Sequence, residues 1–193
     1  MLRPESQSPV ELNLKIPGCF TGTLFLFEER LNTMLSVKLI CVGRLREKFY
    51  TDAFAEYAKR LNPYCHFECL ELPEVRLSDR PSSAEIAAAL DKEADLVVKN
   101  IPQGSYLVAL CVEGKKLSSE DLASVIRERE GSGKPKLCFV IGSSFGLSDR
   151  IKQSADLRLS MSDMTFPHHL ARVMLAEQIY RGFKINEGSS YHK

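Results

Sequence analysis

Apolar runs of strand length recur along this chain with segments of helical length between them, and this alternation fixes the class of fold. Ser36-Val-Lys-Leu-Ile-Cys-Val42 stops at Gly43, His66–Leu72 stops at Pro73, and Tyr106–Val112 and Lys136–Ile141 follow. Asp156–Leu159 adds a short fifth strand. Between them, Glu47–Leu61 carries Phe49, Tyr50, Ala53, Phe54, Tyr57 and Leu61 at helical spacing and is closed by Pro63. Ser82 and Ser83 cap a helix running to about Asn100 through Ile86, Leu90, Ala94 and Val97, and Ser118-Ser-Glu-Asp121 starts another through Leu122, Val125 and Ile126. Strands alternating with helices of about three turns predict an α/β domain, a mostly parallel sheet with helices on both faces. Ligands of such sheets settle at the carboxyl ends of the strands, here Leu110–Gly114, Gly142–Leu147 and Ser160–Phe166.

The chain has 193 residues, enough for one domain with a sizeable core. Residues 1–33 differ from the rest, with Pro4, Pro9, Pro17, Gly18 and Gly22 and only Leu24–Phe27 as an apolar run. We read them as an appended segment and place the working domain at 34–193. Glu5, Glu11, Glu28 and Glu29 argue against a transit peptide, and no stretch reaches the ~20 apolar residues of a membrane span. The cytoplasm is the expected compartment. Cys41, Cys111 and Cys138 lie in strand-like runs and are expected as buried thiols; Cys65 and Cys69, four apart in a strand, are too distant to bridge. No Cys/His ligand spacing occurs, so no metal is expected. A formal charge of +1 means that an anionic partner must be met by local patches.

Three motifs carry possible chemistry. Gly142-Ser-Ser-Phe-Gly-Leu147 joins the fourth strand to a short helix near Ser148-Asp149, as a ligand loop or as a plain tight turn. The same residues match Gly-x-Ser-x-Gly, which would make Ser144 a hydrolase nucleophile followed by aspartates and histidines. A P-loop and a Rossmann glycine pattern are both missing. The strongest signal is Met164–Arg181 with the tail Lys184–Lys193. Here Pro167 precedes a helix carrying His168, His169, Arg172, Glu177, Tyr180 and Arg181, and Tyr191-His192-Lys193 ends the chain. His168 and Arg172 share a helical face, and Glu177 and Arg181 are spaced as an ion pair. An aromatic and basic terminus can stack on a base and contact phosphate.

At these residues the chain resembles the ribosomal RNA large subunit methyltransferase H family of SPOUT methyltransferases. The likeness runs from Met34 to Lys193. It rests on Val42-Gly43, Arg44-Leu-Arg-Glu-Lys48, Glu56-Tyr57 with Lys59-Arg60, Leu137–Gly142, Met164–His168, Arg172-Val173, Glu177–Arg181 and Tyr191–Lys193. The resemblance implies a SPOUT fold with a C-terminal trefoil knot, a homodimer, and bound S-adenosylmethionine. It further implies methylation of N3 of a pseudouridine in helix 69 of 23S rRNA on assembled ribosomes. Cofactor contacts would fall on Leu110, Gly142, Met161, Ser162, Asp163, Met164, Thr165 and Phe166. Where the family has Gly-Gly, this chain has Gly142-Ser143, a strained change if that position needs positive φ and a harmless one otherwise. For the reaction itself, Arg172 or Arg181 can stabilise an anionic base, His168 or His192 can accept its proton, and Tyr191 can stack on it. Arg44, Arg46 and Lys48 offer a basic patch. A serine hydrolase using Ser144 and a non-enzymatic ribosome- or nucleotide-binding dimer are the competing readings.

Overall fold

The computed structural model describes residues 34–133 and 135–191. The proposed appended segment, 1–33, and His192 and Lys193 lie outside the described residues. The element order is β1 (Ser36–Val42), α1 (Lys48–Leu61), β2 (His66–Leu72), α2 (Ser83–Asn100), β3 (Tyr106–Lys116), α3 (Ser119–Glu130), β4 (Lys136–Ile141), α4 (Asp149–Ser154), β5 (Leu157–Ser160) and α5 (His168–Asn186). The five strands form one sheet in the order β2-β1-β4-β3-β5, and every pairing is parallel.

The two-residue period of the strands divides the core between the two faces of the sheet. Val37, Leu39, Cys41, Val108, Leu137, Phe139 and Ile141 meet Leu61 of α1, Leu122 and Ile126 of α3, and Leu175, Ile179 and Phe183 of α5. Ile40, Val42, Leu107, Ala109, Cys138 and Val140 point the other way, onto Ala94 and Val97 of α2 and Leu147 and Ile151 beside and within α4. Both faces are covered, as near-continuous apolar strands require. Serine caps fix two helix starts: Ser82 and Glu85 form a reciprocal capping box at α2, as do Ser118 and Asp121 at α3.

Two details differ from the sequence reading. Strand β3 runs on to Lys116 rather than stopping at Val112, but its pairing with β5 is interrupted. Leu110 and Lys115 both register with Leu159, so residues 111–114 bulge out of the ladder. Gly114 permits this, because a Cβ there would lie 2.6 Å from the backbone carbon of Leu159. Cys65 precedes β2 instead of lying in it; its Sγ donates to Leu61 O at 3.7 Å, and burial pushes its thiol up to about 12. Cys41 and Cys138 are buried as expected, and Cys111 is half-exposed.

Candidate active site

The bulge after Leu110 and the loops after β4 and β5 open a cleft at the carboxyl end of the sheet. It is a shallow, open cleft with about 120 Å³ accessible to water-sized groups. Of the eight residues expected to contact a cofactor, Leu110, Gly142, Met161, Ser162, Met164, Thr165 and Phe166 line this one cleft. Asp163 does not; its exposed carboxylate pairs with Lys116 at 2.6 Å. Cys111 and Val112, within the strand end Leu110–Gly114 expected to meet a ligand, also line the cleft, as do Ile141, Leu159 and Ala171, which the sequence reading did not single out as contacts. Cys111 and Val112 sit in the 111–114 bulge, which nothing in a run of apolar residues announces.

The lining suits a ligand with a largely apolar body and hydrogen-bonding groups. Leucine, valine, isoleucine, methionine and phenylalanine side chains alternate with hydroxyls and loop backbone, and no lysine or arginine lines the cleft. The approach of the chain to itself is close. A Cβ on Gly142 would lie 2.0 Å from Gly146 O, so the turn tolerates no side chain at 142. Left-handed backbone in this turn falls on Gly146, at φ 87°, and Gly146 N donates to Ser143 O at 2.9 Å.

Two glutamates hold the turn from behind. Ser143 donates its hydroxyl to Glu93 Oε2 at 2.9 Å, while Glu93 Oε1 accepts the Val75 amide at 2.9 Å. Glu93 is only 4% exposed, and burial raises its pKa against the pull of those two donors. Glu74 accepts the Ser144 hydroxyl at 2.9 Å and the Ser144 amide at 3.4 Å. The sequence did hold a trace of Glu93, a lone acid within the apolar stripe Ile86, Leu90, Ala94, Val97. The Ser144 hydroxyl is therefore bound to a carboxylate, and among the described residues no imidazole is paired with it, which leaves the hydrolase arrangement without its base.

His168 opens α5 and lines both this cleft and a second open one shared with Ser144, Phe145, Lys152 and Glu113. Its ring packs edge-on to His169 with centroids 4.0 Å apart, and its Nε2 would lie 3.4 Å from a Cβ on Gly43. Burial lowers its pKa, and the nearby His169 and Arg172 push the same way, while Glu74 and Glu47 oppose them. The imidazole is accordingly neutral near pH 7, compatible with a cation beside it and able to accept a proton.

Arg172 sits deeper than the sequence suggested. It is fully buried, donating to Glu71 Oε1 and, at 3.0 Å, to Gly43 O. It ties α5 to the ends of β1 and β2 and does not line the cleft. Arg181 and Tyr191 form a separate group. Arg181 Nε donates to Glu177 at 3.0 Å, the guanidinium lies 4.8 Å from the centroid of the Tyr191 ring, and the Tyr191 hydroxyl donates to Glu177 at 3.2 Å. Tyr191 also packs edge-on to Tyr180 at 5.1 Å. Arg181 is 13 residues beyond His168 on one helix, about 20 Å along its axis, so one chain does not bring these groups to His168. Among the described residues no cluster of possible metal ligands occurs.

Comparison with known proteins agrees with this geometry. The family described as "Predicted SPOUT methyltransferase" matches residues 35–192. The chain is 42% identical over 159 residues to ribosomal RNA large subunit methyltransferase H of Clostridioides difficile (strain 630), covering 82% of this chain and 100% of that one. It is 41% identical, over the same shares, to a putative protein of that name from Methanococcus maripaludis (strain C5). The solved structure of a probable methyltransferase from Bordetella pertussis Tohama I has the same fold, with a TM-score of 0.52 at 14% identity, over 80% of this chain and 98% of that one.

Proposed function

Because the chain belongs to the SPOUT methyltransferase family, we propose that it methylates large-subunit ribosomal RNA with S-adenosylmethionine as the donor. The target in this reading is N3 of a pseudouridine in helix 69 of 23S rRNA within the assembled ribosome. The observation that carries it is the convergence of Leu110, Gly142, Met161, Ser162, Met164, Thr165 and Phe166 on one cleft with His168 at its edge.

When bound, the cofactor supplies an electrophilic methyl group on a sulfonium, whose C–S bond breaks as the N–C bond forms. The chain's own contribution is alignment and proton handling. The 142–146 turn and the 161–166 loop hold the donor, and the uncharged lining avoids repelling a cation. The N3 proton of the base must leave before or during attack. Neutral His168, placed where the two clefts meet, is the acceptor within reach. Arg172 serves as a positioning residue, since the buried guanidinium holds Glu71 and the Gly43 carbonyl and so fixes the start of α5 and hence His168.

Arg181, Tyr191 and the terminal His192 enter through a second copy of the chain in this proposal. A homodimer is the arrangement in which the C-terminal group of one protomer can face the cleft of the other, there to stack on the base and stabilise its anion. The knotted path of the C-terminal half, an appended role for residues 1–33 and a cytoplasmic location complete the reading. Calorimetry with S-adenosylmethionine, followed by methyl transfer to 70S ribosomes and to naked rRNA, tests it. Failure to bind the donor, or ribosomes left unmodified, refutes it, and donor or ribosome binding without transfer would favour the non-enzymatic reading.

A further inference from the structure

Four exposed arginines without a carboxylate partner lie on two neighbouring loops beside the cleft. Arg44 and Arg46 follow β1, and Arg76 and Arg80 follow β2. The two strands are paired, Gly43 N donates to Leu72 O at 2.9 Å, and Leu45 N donates to Glu71 at 3.0 Å, so the two loops are neighbours. All four arginines are exposed, and none forms an ion pair among the described residues.

The nearby acids Glu47, Glu71 and Glu74 are also exposed, but each is engaged by a neighbour outside the four arginines. Glu47 faces His169 at 3.3 Å, Glu71 holds Arg172, and Glu74 holds Ser144. Asp79 alone stays open between Arg76 and Arg80. Phe49, on the first turn of α1, is 64% exposed and packs against Tyr50 with centroids 4.2 Å apart. The shoulder reaches the site through Gly43 and Glu74, which both border His168.

We infer that Arg44, Arg46, Arg76 and Arg80, with Phe49, form the surface that grips the ribose-phosphate backbone of the RNA stem-loop carrying the target base. The inference rests on the methyltransferase reading and deepens it. Guanidinium groups take phosphate oxygens in a bidentate fork, and an exposed aromatic ring offers a platform to an unstacked base. Lys48, paired with Asp52 at 2.6 Å, contributes less than its place in the sequence suggested.

The test compares wild type with Arg76→Glu/Arg80→Glu and with the matching lysine variant. It measures KM and kcat on pseudouridine-bearing 70S ribosomes, anisotropy with a short labelled RNA hairpin, and calorimetry with S-adenosylmethionine. The glutamate variant should raise ribosome KM and hairpin Kd about tenfold or more, and its log–log salt dependence should be shallower by about two. Its donor affinity should stay within about twofold, and the lysine variant should keep most of the binding. Unchanged KM and salt slope overturn the surface while leaving the methyltransferase reading intact. A raised ribosome KM with unchanged hairpin binding also overturns it, because the face would then read protein. A wild-type chain that modifies no ribosomes removes the reading on which the surface depends.

Discussion

The buried carboxylate of Glu93, on α2, accepts the hydroxyl of Ser143 at 2.9 Å and so fastens the turn after β4 to the opposite side of the sheet. The same side chain accepts the Val75 amide, so one acid joins the loop after β2 to the turn after β4. Removing the hydroxyl by Ser143→Ala leaves one carboxylate oxygen buried without its donor, at a cost of about 1–3 kcal/mol. Urea unfolding should show that loss, and calorimetry should show weaker S-adenosylmethionine binding. A variant as stable and as tight-binding as wild type would mean the clamp is ornamental.

Gly142→Ala should be worse for the cofactor. Its Cβ would meet Gly146 O at 2.0 Å, so the turn must move, costing about 1–3 kcal/mol or more. Donor affinity is expected to fall at least about tenfold, while circular dichroism shows the α/β fold retained. Gly146→Ala makes an informative companion, because at φ 87° the added methyl has open space and the strain is purely conformational.

Arg172 and Glu71 give a stability prediction. Arg172→Met takes a donor from the buried Gly43 carbonyl and from the partly exposed Glu71, which keeps the Leu45 amide, and should cost about 1–3 kcal/mol. The double variant Arg172→Met/Glu71→Gln should recover part of this. Equal losses in the single and double variants would contradict the pairing.

The pH dependence follows from His168. Its folded pKa is depressed, by burial first, so as pH falls the unfolded chain protonates before the native one. Its contribution to stability is therefore intact above 6.5 and is lost as pH drops from 6.5 toward the lower native value. In the proposed reaction the neutral imidazole accepts the proton, so activity should decline on the acid side below 6.5. His168→Gln should remove that acid limb and slow transfer about 10²–10⁴-fold, with donor affinity little changed. An acid limb that survives the substitution would assign the base elsewhere.

The architecture was legible in the sequence because each element announced itself: apolar runs ended by Gly43 and Pro73, serine caps at 82 and 118, and a helix after Pro167. The identity of most of the cleft came through resemblance, which marked loops that burial then gathered. Depth was not legible. Arg172 and Arg181 look alike on a helical repeat, yet one is sealed under β1 and β2 while the other lies partly exposed near Tyr191. Glu93 was hidden for a related reason: whether an acid on an apolar stripe is a defect or a fastener depends on what the far loop presents to it.

The lost rungs between β3 and β5 give the 111–114 segment a significance beyond its shape. Those residues surrender sheet pairing, and the vacated space becomes the wall formed by Cys111 and Val112. Shortening the segment would let the ladder close over the opening. In the proposed function, admitting a donor then rests on a few residues of surplus length, and deletions there should abolish uptake while making the sheet more regular.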